Sequence, residues 1–121
     1  MRQFLFTALA TAALLLTALS PAHAGQPVRE LHDQMVKKPG RILFQGRVDP
    51  GHGPVVIQKK ACSSPKCPWR TYKTVQTHGD QHRWQVRVYA PRQGSWYWRG
   101  YVDAYGGYAR SWTAKWRTYV S

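Results

Sequence analysis

Acidic side chains are scarce in this sequence of 121 residues, where five Asp and Glu stand against 18 Lys and Arg and the formal net charge is +13 at pH 7. A charge imbalance of this size bears on partners and solubility rather than on fold. It favours anionic surfaces such as wall polymers, phospholipid headgroups, acidic glycans or nucleic acid. The alternative is a basic composition that serves no specific ligand.

The scarcity of acids also limits catalysis. Glycoside hydrolysis needs two carboxyl groups about 5–10 Å apart, and Asp49, Asp80 and Asp103 each stand at an expected strand end or turn, where Asp is ordinary. The other two acids, Glu30 and Asp33, lie in an N-terminal segment of uncertain structure. No Ser lies in a Gly-x-Ser-x-Gly elbow. We therefore predict a protein that is not an enzyme and that carries no cofactor.

One spacing allows a metal site. His78 and His82 flank Asp80 across an expected tight turn, and two imidazoles with one carboxylate suit zinc or copper. The same residues also make an ordinary polar hairpin tip. We favour the hairpin tip and predict no metal site.

Cysteine occurs only twice, at Cys62 and Cys67. In an oxidising compartment an isolated close pair favours a disulfide. The residues between them offer no soft ligands for a metal. We predict a Cys62–Cys67 disulfide, which closes a short loop and stabilises the fold by about 2 kcal/mol.

Long apolar runs are rare too, and the one present spans residues 4–19, behind Arg2 and ahead of Ala22-His23-Ala24. A charged start, an apolar stretch of this length and a small-x-small site are typical of a secretory signal peptide. We predict a cleavable signal peptide at 1–24, cleavage after Ala24 and a secreted protein, with a retained anchor as the alternative. No transmembrane segment is expected in the mature chain.

Helical periodicity is almost missing after residue 24. The one candidate is 28–37, which suits a short helix, a leading strand or an extended tail equally well, so we treat 25–40 as an N-terminal extension or leading strand. From 41 to 121, six segments alternate apolar and polar residues between turns rich in Gly, Pro and Asp. They predict an all-β domain, an antiparallel β-sandwich of immunoglobulin or fibronectin III type with six or seven strands, with a small closed barrel as second choice.

The alternation also predicts which residues form the core. The expected core positions are apolar and share the inward side of each strand: Ile42, Phe44, Val48, Val55, Ile57, Trp69, Val75, Trp84, Val86, Val88, Trp96, Trp98, Val102, Trp112 and Trp116.

A resemblance to a family rests on a cadence of short motifs: 44–48 (FQGRV), 55–58 (VVIQ), Trp69 with Tyr72, and 98–100 (WRG). With this cadence the chain resembles the small exported immunoglobulin-like β-sandwich modules of high-GC Gram-positive bacteria, over about 41–120. The resemblance implies a fold and no defined activity.

The polar sides of the strands carry the predicted site. If these strands share a sheet, its outer side alternates basic groups with phenol rings: Arg83, Arg87, Tyr97, Arg99, Tyr101, Lys115, Arg117 and Tyr119. Arg binds phosphate or carboxylate through two parallel hydrogen bonds, and Tyr stacks on sugars. We predict binding to an anionic cell-wall polymer or glycan. The alternatives are a surface that only covers the sheet and a secreted cationic effector or inhibitor that binds a protein partner. No signature of a specific nucleic-acid module is present.

Overall fold

The computed structural model describes residues 25–120, so the predicted signal peptide lies outside the described residues. Within this range every regular element is a β-strand, and no helix of the length and apolarity needed to cross a membrane occurs. The strands are β1 (Gln34–Lys38), β2 (Arg41–Arg47), β3 (Val55–Lys60), β4 (Arg70–Val75), β5 (Arg83–Val88), β6 (Ser95–Val102), β7 (Ser111–Trp112) and β8 (Trp116–Tyr119). The all-β class is confirmed.

The strands form two separate antiparallel sheets rather than one closed sheet, so the closed barrel is wrong. A three-stranded sheet has the order β1-β2-β5. A five-stranded sheet has the order β4-β3-β6-β7, and β8 also pairs with β6. Apolar residues of both sheets meet in one core, which is the arrangement of a β-sandwich.

The segment before residue 40 is a strand in part, and the helical alternative for 28–37 is wrong. Strand β1 pairs with β2 and places Met35 opposite Phe44, against the core. Leu31, just before β1, is buried with 3% of its surface exposed. The leading strand therefore adds Met35 to the core, while Val36 lies on its other side, in register with Leu43.

The predicted core is largely confirmed. Phe44, Val55, Ile57, Trp98 and Val102 are each fully buried, with 0% of their surface exposed. The Phe44 and Trp84 rings pack edge to face with centroids 5.1 Å apart, a favoured aromatic geometry. Other predicted positions lie half-buried against this cluster: Ile42, Val75, Trp96 and Trp116.

The predictions that Trp69 and Trp112 lie in the core are wrong. Both errors come from an extra residue in a strand. Trp112 pairs with Tyr101 and Trp116 with Trp98, so four residues of one strand face three of the other. Because side chains alternate sides along a strand, one extra residue moves everything beyond it to the opposite face. Trp112 consequently points outward and is 43% exposed.

The same reversal occurs between β3 and β4. Ile57 pairs with Lys73 while Gln58 pairs with Thr71, which leaves Tyr72 as the extra residue. Tyr72 and Val75 both pack against the core. Trp69, on the far side of the bulge, instead stacks on Arg99, an outward residue of β6.

One end of the core is closed by a cation. The Lys59 ammonium lies 4.4 Å from the Trp96 ring centroid and 4.8 Å from that of Tyr89. Tyr72 and Trp98 complete the surround, and Lys59 Nζ donates a hydrogen bond to the Tyr89 hydroxyl. Cation–π attraction of this kind stabilises a half-buried ammonium without a carboxylate.

The opposite end is fastened by Arg29, which is buried with 3% exposure. Its guanidinium donates to the carbonyl oxygens of His52 at 3.0 Å and Asp103 at 3.1 Å, and more weakly to that of Pro50 at 3.3 Å. Its backbone N–H donates to Ser111 Oγ. Arg29 thereby ties the leading segment to two loops.

The predicted Cys62–Cys67 disulfide is present, with Cα atoms 5.7 Å apart.

Candidate functional site

The predicted site residues do not share one sheet. Tyr97, Arg99 and Tyr101 lie on β6, and Arg117 and Tyr119 lie on the neighbouring β8. Lys115 is exposed in the connection between β7 and β8.

Arg83 and Arg87 belong to the opposite sheet, which corrects the expectation of a single plate. Both lie on β5, which pairs with β2 in the three-stranded sheet. The chain crosses from one sheet to the other between β5 and β6, so these two strands are consecutive in sequence but lie in different layers.

The outward sides of β3, β6, β7 and β8 form the candidate site, which we name the five-stranded face. Its residues are aligned by strand pairing: Lys60 opposes Tyr97, which opposes Arg117, and Gln58 opposes Arg99. Further along β6, Tyr101 opposes Trp112 of β7. Cations and aromatic rings therefore alternate across the sheet as well as along it.

Arg99 is the centre of this face. Its guanidinium carbon lies 4.3 Å from the centroid of Trp69 and 4.3 Å from that of Trp112, so an indole lies close on each side. Arginine stacks on aromatic faces because its planar cation is attracted by the ring quadrupole and is weakly hydrated. The two tryptophans that the bulges rotate outward thus hold the same arginine.

The hydrogen bonding of Arg99 leaves part of its guanidinium free. Nε donates to Gln58 Oε1 at 2.8 Å, and Nη1 and Nη2 make no hydrogen bond to any of residues 25–120. Desolvation by burial lowers the pKa of Arg99 below its usual value, an effect that the nearby Tyr101 only partly offsets, but an arginine stays charged at physiological pH. Arg99 can therefore offer the four N–H groups of Nη1 and Nη2 to an anion.

The row continues on both sides of Arg99. Lys60 Nζ lies 4.9 Å from the Trp69 centroid. On the other side the Tyr101 and Trp112 rings are 4.8 Å apart, and the Arg110 guanidinium lies 4.5 Å from the Tyr101 centroid. We name this arrangement the stacked row; it comprises Lys60, Trp69, Arg99, Trp112, Tyr101 and Arg110.

Arg117 and Tyr119 extend the face along β8. The Arg117 guanidinium lies 4.6 Å from the Tyr119 ring centroid, and its Nε donates to Ser95 Oγ at 2.7 Å. Tyr119 is 53% exposed. Arg117 is positioned by these contacts and remains open to solvent.

Carboxylates do not neutralise most of this face. Arg110 pairs with Asp103 at 2.8 Å. Within residues 25–120, no carboxylate lies within 4 Å of the cationic nitrogens of Lys60, Arg99 or Arg117. The face therefore carries a net positive charge that is available to a partner.

Sequence reasoning missed four members of the stacked row: Lys60, Trp69, Arg110 and Trp112. Trp69 and Trp112 were assigned inward by a strict two-residue period. No local residue type marks either bulge. The residues that flank Trp112 mislead in the same way, because Ser111 and Thr113 are polar yet buried at 1% and 8% exposure.

The His78–Asp80–His82 spacing makes a hairpin tip. His78 and Arg83 exchange backbone hydrogen bonds of 2.7 and 2.9 Å. The His82 ring packs against His52, with centroids 4.0 Å apart. In the part of the chain that the structure describes, no three His, Cys, Asp or Glu side chains come together to hold a metal ion.

Comparisons with known proteins return no relative. No protein-family profile matches the sequence, no curated protein matches it significantly, and no solved structure matches the fold significantly.

Proposed function

We propose that this protein is a secreted, non-enzymatic β-sandwich that binds an anionic polymer of the cell envelope or extracellular space through the five-stranded face. The observation that carries the proposal is Arg99, a guanidinium between two indoles with two nitrogens free and no carboxylate near. Such a group suits the paired oxygens of a carboxylate or phosphate.

The shape of the face favours a polymer over a small ligand. The centroid distances of 4.9 and 4.3 Å place Lys60 Nζ and the Arg99 guanidinium within about 9 Å of each other, with both cations against the Trp69 ring. Aromatic rings next to cations suit a chain in which sugar rings alternate with charged groups, since rings stack on aromatic faces and charges pair with Arg and Lys.

The fold type is part of the proposal. In constant-type immunoglobulin domains the fourth strand joins the sheet of the first, second and fifth strands. Here β4 pairs with β3 instead, an order that resembles the fibronectin III arrangement. This order supports a module of that type, similar to the exported sandwiches that the sequence cadence resembles. The proposal that the protein is secreted rests on the predicted signal peptide at 1–24.

A pull-down on isolated cell wall and on polygalacturonate tests the function. The mature protein should be retained in low salt and released by about 0.5 M NaCl, because salt screens exposed charges. Arg99→Gln combined with Arg117→Gln should weaken binding at least about tenfold, since each charged hydrogen bond contributes about 1.5–3 kcal/mol. Circular dichroism should show this double variant folded.

The matched control removes the same charge elsewhere. Lys73→Gln with Arg92→Gln changes two exposed cations, one on the edge strand β4 in register with the core residue Ile57 and one in the β5–β6 connection, and should leave most of the binding intact. Equal losses in the two double variants would mean that net charge alone drives retention. Absence of binding in low salt, or a strong preference for DNA over polygalacturonate, would reject the proposal.

A further inference from the structure

A second basic surface lies on the opposite side of the sandwich. On the outward side of β1, β2 and β5, Lys38 opposes Arg41, Leu43 opposes Arg87, and Arg47 opposes Arg83. We name this the three-stranded face. Among residues 25–120, Asp49 is the one carboxylate within 4 Å of these five cations, at 3.9 Å from Arg47. This surface therefore also carries an excess of positive charge.

Between the cations of this face runs a row of amides. Gln34 opposes Gln45, and Gln45 opposes Gln85, so three side-chain amides cross the sheet side by side. They line an open cavity of about 620 Å³ together with Arg47 and Arg83. Its volume falls within the range of small-ligand sites. An amide offers both a donor and an acceptor, so the row suits the hydroxyl groups of a sugar.

The arginines of this cavity and its neighbourhood are held in place. Gln81 Oε1 accepts hydrogen bonds from Arg83 Nε at 3.1 Å and from Nη2 at 2.6 Å. Arg87 Nη2 donates to the Gly40 carbonyl at 3.0 Å. These contacts leave other N–H groups of each guanidinium open for a ligand. Amides beside oriented cations match the same ligand chemistry as the stacked row, hydroxyls with regularly placed anions.

The two faces cannot be covered by one short ligand. They are the outer surfaces of two sheets that pack core to core, and stacked sheets alone are about 10 Å apart. We infer that the protein is bivalent: the three-stranded face is a second site for acidic polysaccharide, and one molecule cross-links two polymer segments. This inference rests on the proposed function and adds to it a second site and its consequence.

Calorimetric titration with a short oligogalacturonate tests the number of sites. The mature protein should bind two oligosaccharides per molecule. Arg83→Gln with Arg87→Gln should remove one of them, and Arg99→Gln with Arg117→Gln should remove the other. Each double variant removes two positive charges, so the two are controls for each other. If the Arg83/Arg87 variant does not fold, Lys38→Gln with Arg41→Gln makes the same test on the same face.

Turbidity with long polygalacturonate tests the cross-linking. The mature protein should cloud the solution near charge balance, and each double variant should bind the polymer yet leave the solution clear. A stoichiometry of one in the mature protein, or turbidity unchanged by Arg83→Gln with Arg87→Gln, overturns the bivalent inference while leaving the five-stranded face intact. No oligosaccharide binding at all, or none lost with Arg99→Gln and Arg117→Gln, overturns the proposed function itself.

Discussion

Arg29 is the residue whose role is structural in spite of its charge. A buried guanidinium without a carboxylate is costly unless its N–H groups are satisfied. Here backbone carbonyls of residues 50, 52 and 103 accept hydrogen bonds from Nη1 and Nη2, Nε has no partner among residues 25–120, and the Tyr105 ring lies 5.2 Å from the guanidinium. The charge is therefore used to hold loops together rather than to bind a partner.

Replacing this side chain should destabilise the domain. Arg29→Met keeps much of the volume but leaves the carbonyls of His52 and Asp103 without their donor, so we expect a loss of about 3 kcal/mol in the free energy of unfolding. Urea denaturation followed by circular dichroism measures it. Arg92→Met, at an exposed position, should change stability by less than about 0.5 kcal/mol. Similar small losses in both variants would contradict the role given to Arg29.

Lys59 shows a second use of charge at the residue scale. Its stem lies in register with Trp98, on the core side of β3, and its ammonium ends among four aromatic rings. Long basic side chains commonly bury their stems and place the charge at the edge of an apolar region. A basic residue at an inward strand position is thus compatible with the sandwich.

At the scale of the strands, the alternation predicts where strands occur. It does not predict which sheet, or which side of it, every side chain belongs to. Alternation predicts strands in the region of β2, β3, β5 and β6, because a half-buried strand in a small sandwich must separate apolar from polar side chains. For β1 the pattern does not decide, since Met35 and Val36 suit a helix and a strand equally. The conformation of β1 is determined by its pairing with β2, and a local sequence pattern does not show that contact.

The candidate site was predicted in part for the same reason. Tyr97, Arg99 and Tyr101 point outward as expected, because β6 is regular throughout. Trp69 and Trp112 lie beyond bulges, and a bulge depends on the partner strand more than on the residues next to it. Arg83 and Arg87 point outward as well but on the other layer, since the order of strands within sheets is not encoded in the alternation.

The bulge between β7 and β8 turns Trp112 outward, so its contribution to stability should differ from that of the buried Trp98. Trp98→Ala should cost about 3–5 kcal/mol of unfolding free energy, because that ring is fully buried and donates a 2.9 Å hydrogen bond to Thr118 Oγ1. Trp112→Ala should cost only about 1 kcal/mol, the value of a surface cation–π contact. Thermal and urea unfolding compare them, and comparable large losses would show that Trp112 belongs to the core.

The whole molecule carries far more positive charge than its ion pairs neutralise. The full chain has a formal net charge of +13, and within residues 25–120 four ion contacts occur, two of them to His32. Repulsion among like charges destabilises a compact state and is weakened by salt. Affinity for a polyanion and stability of the fold should therefore respond to salt in opposite directions.

This opposition can be measured on one preparation. Raising NaCl from about 0.02 M to about 0.5 M should move the urea midpoint of the mature protein upward, while polygalacturonate binding weakens. Urea is the appropriate denaturant because guanidinium is itself a salt. A midpoint that stays constant or falls would mean that repulsion between the two basic faces is not a significant cost to the fold.

The position of Arg99 between Trp69 and Trp112 has a consequence for the thermodynamics of recognition. A free arginine loses about 2 kcal/mol of side-chain rotamer entropy when it is immobilised. Here the indoles and Gln58 have already restricted the side chain before any partner arrives. The entropic cost of ordering Arg99 is therefore incurred during folding. The anion binds a preorganised guanidinium, and more of the favourable contact free energy contributes to the affinity.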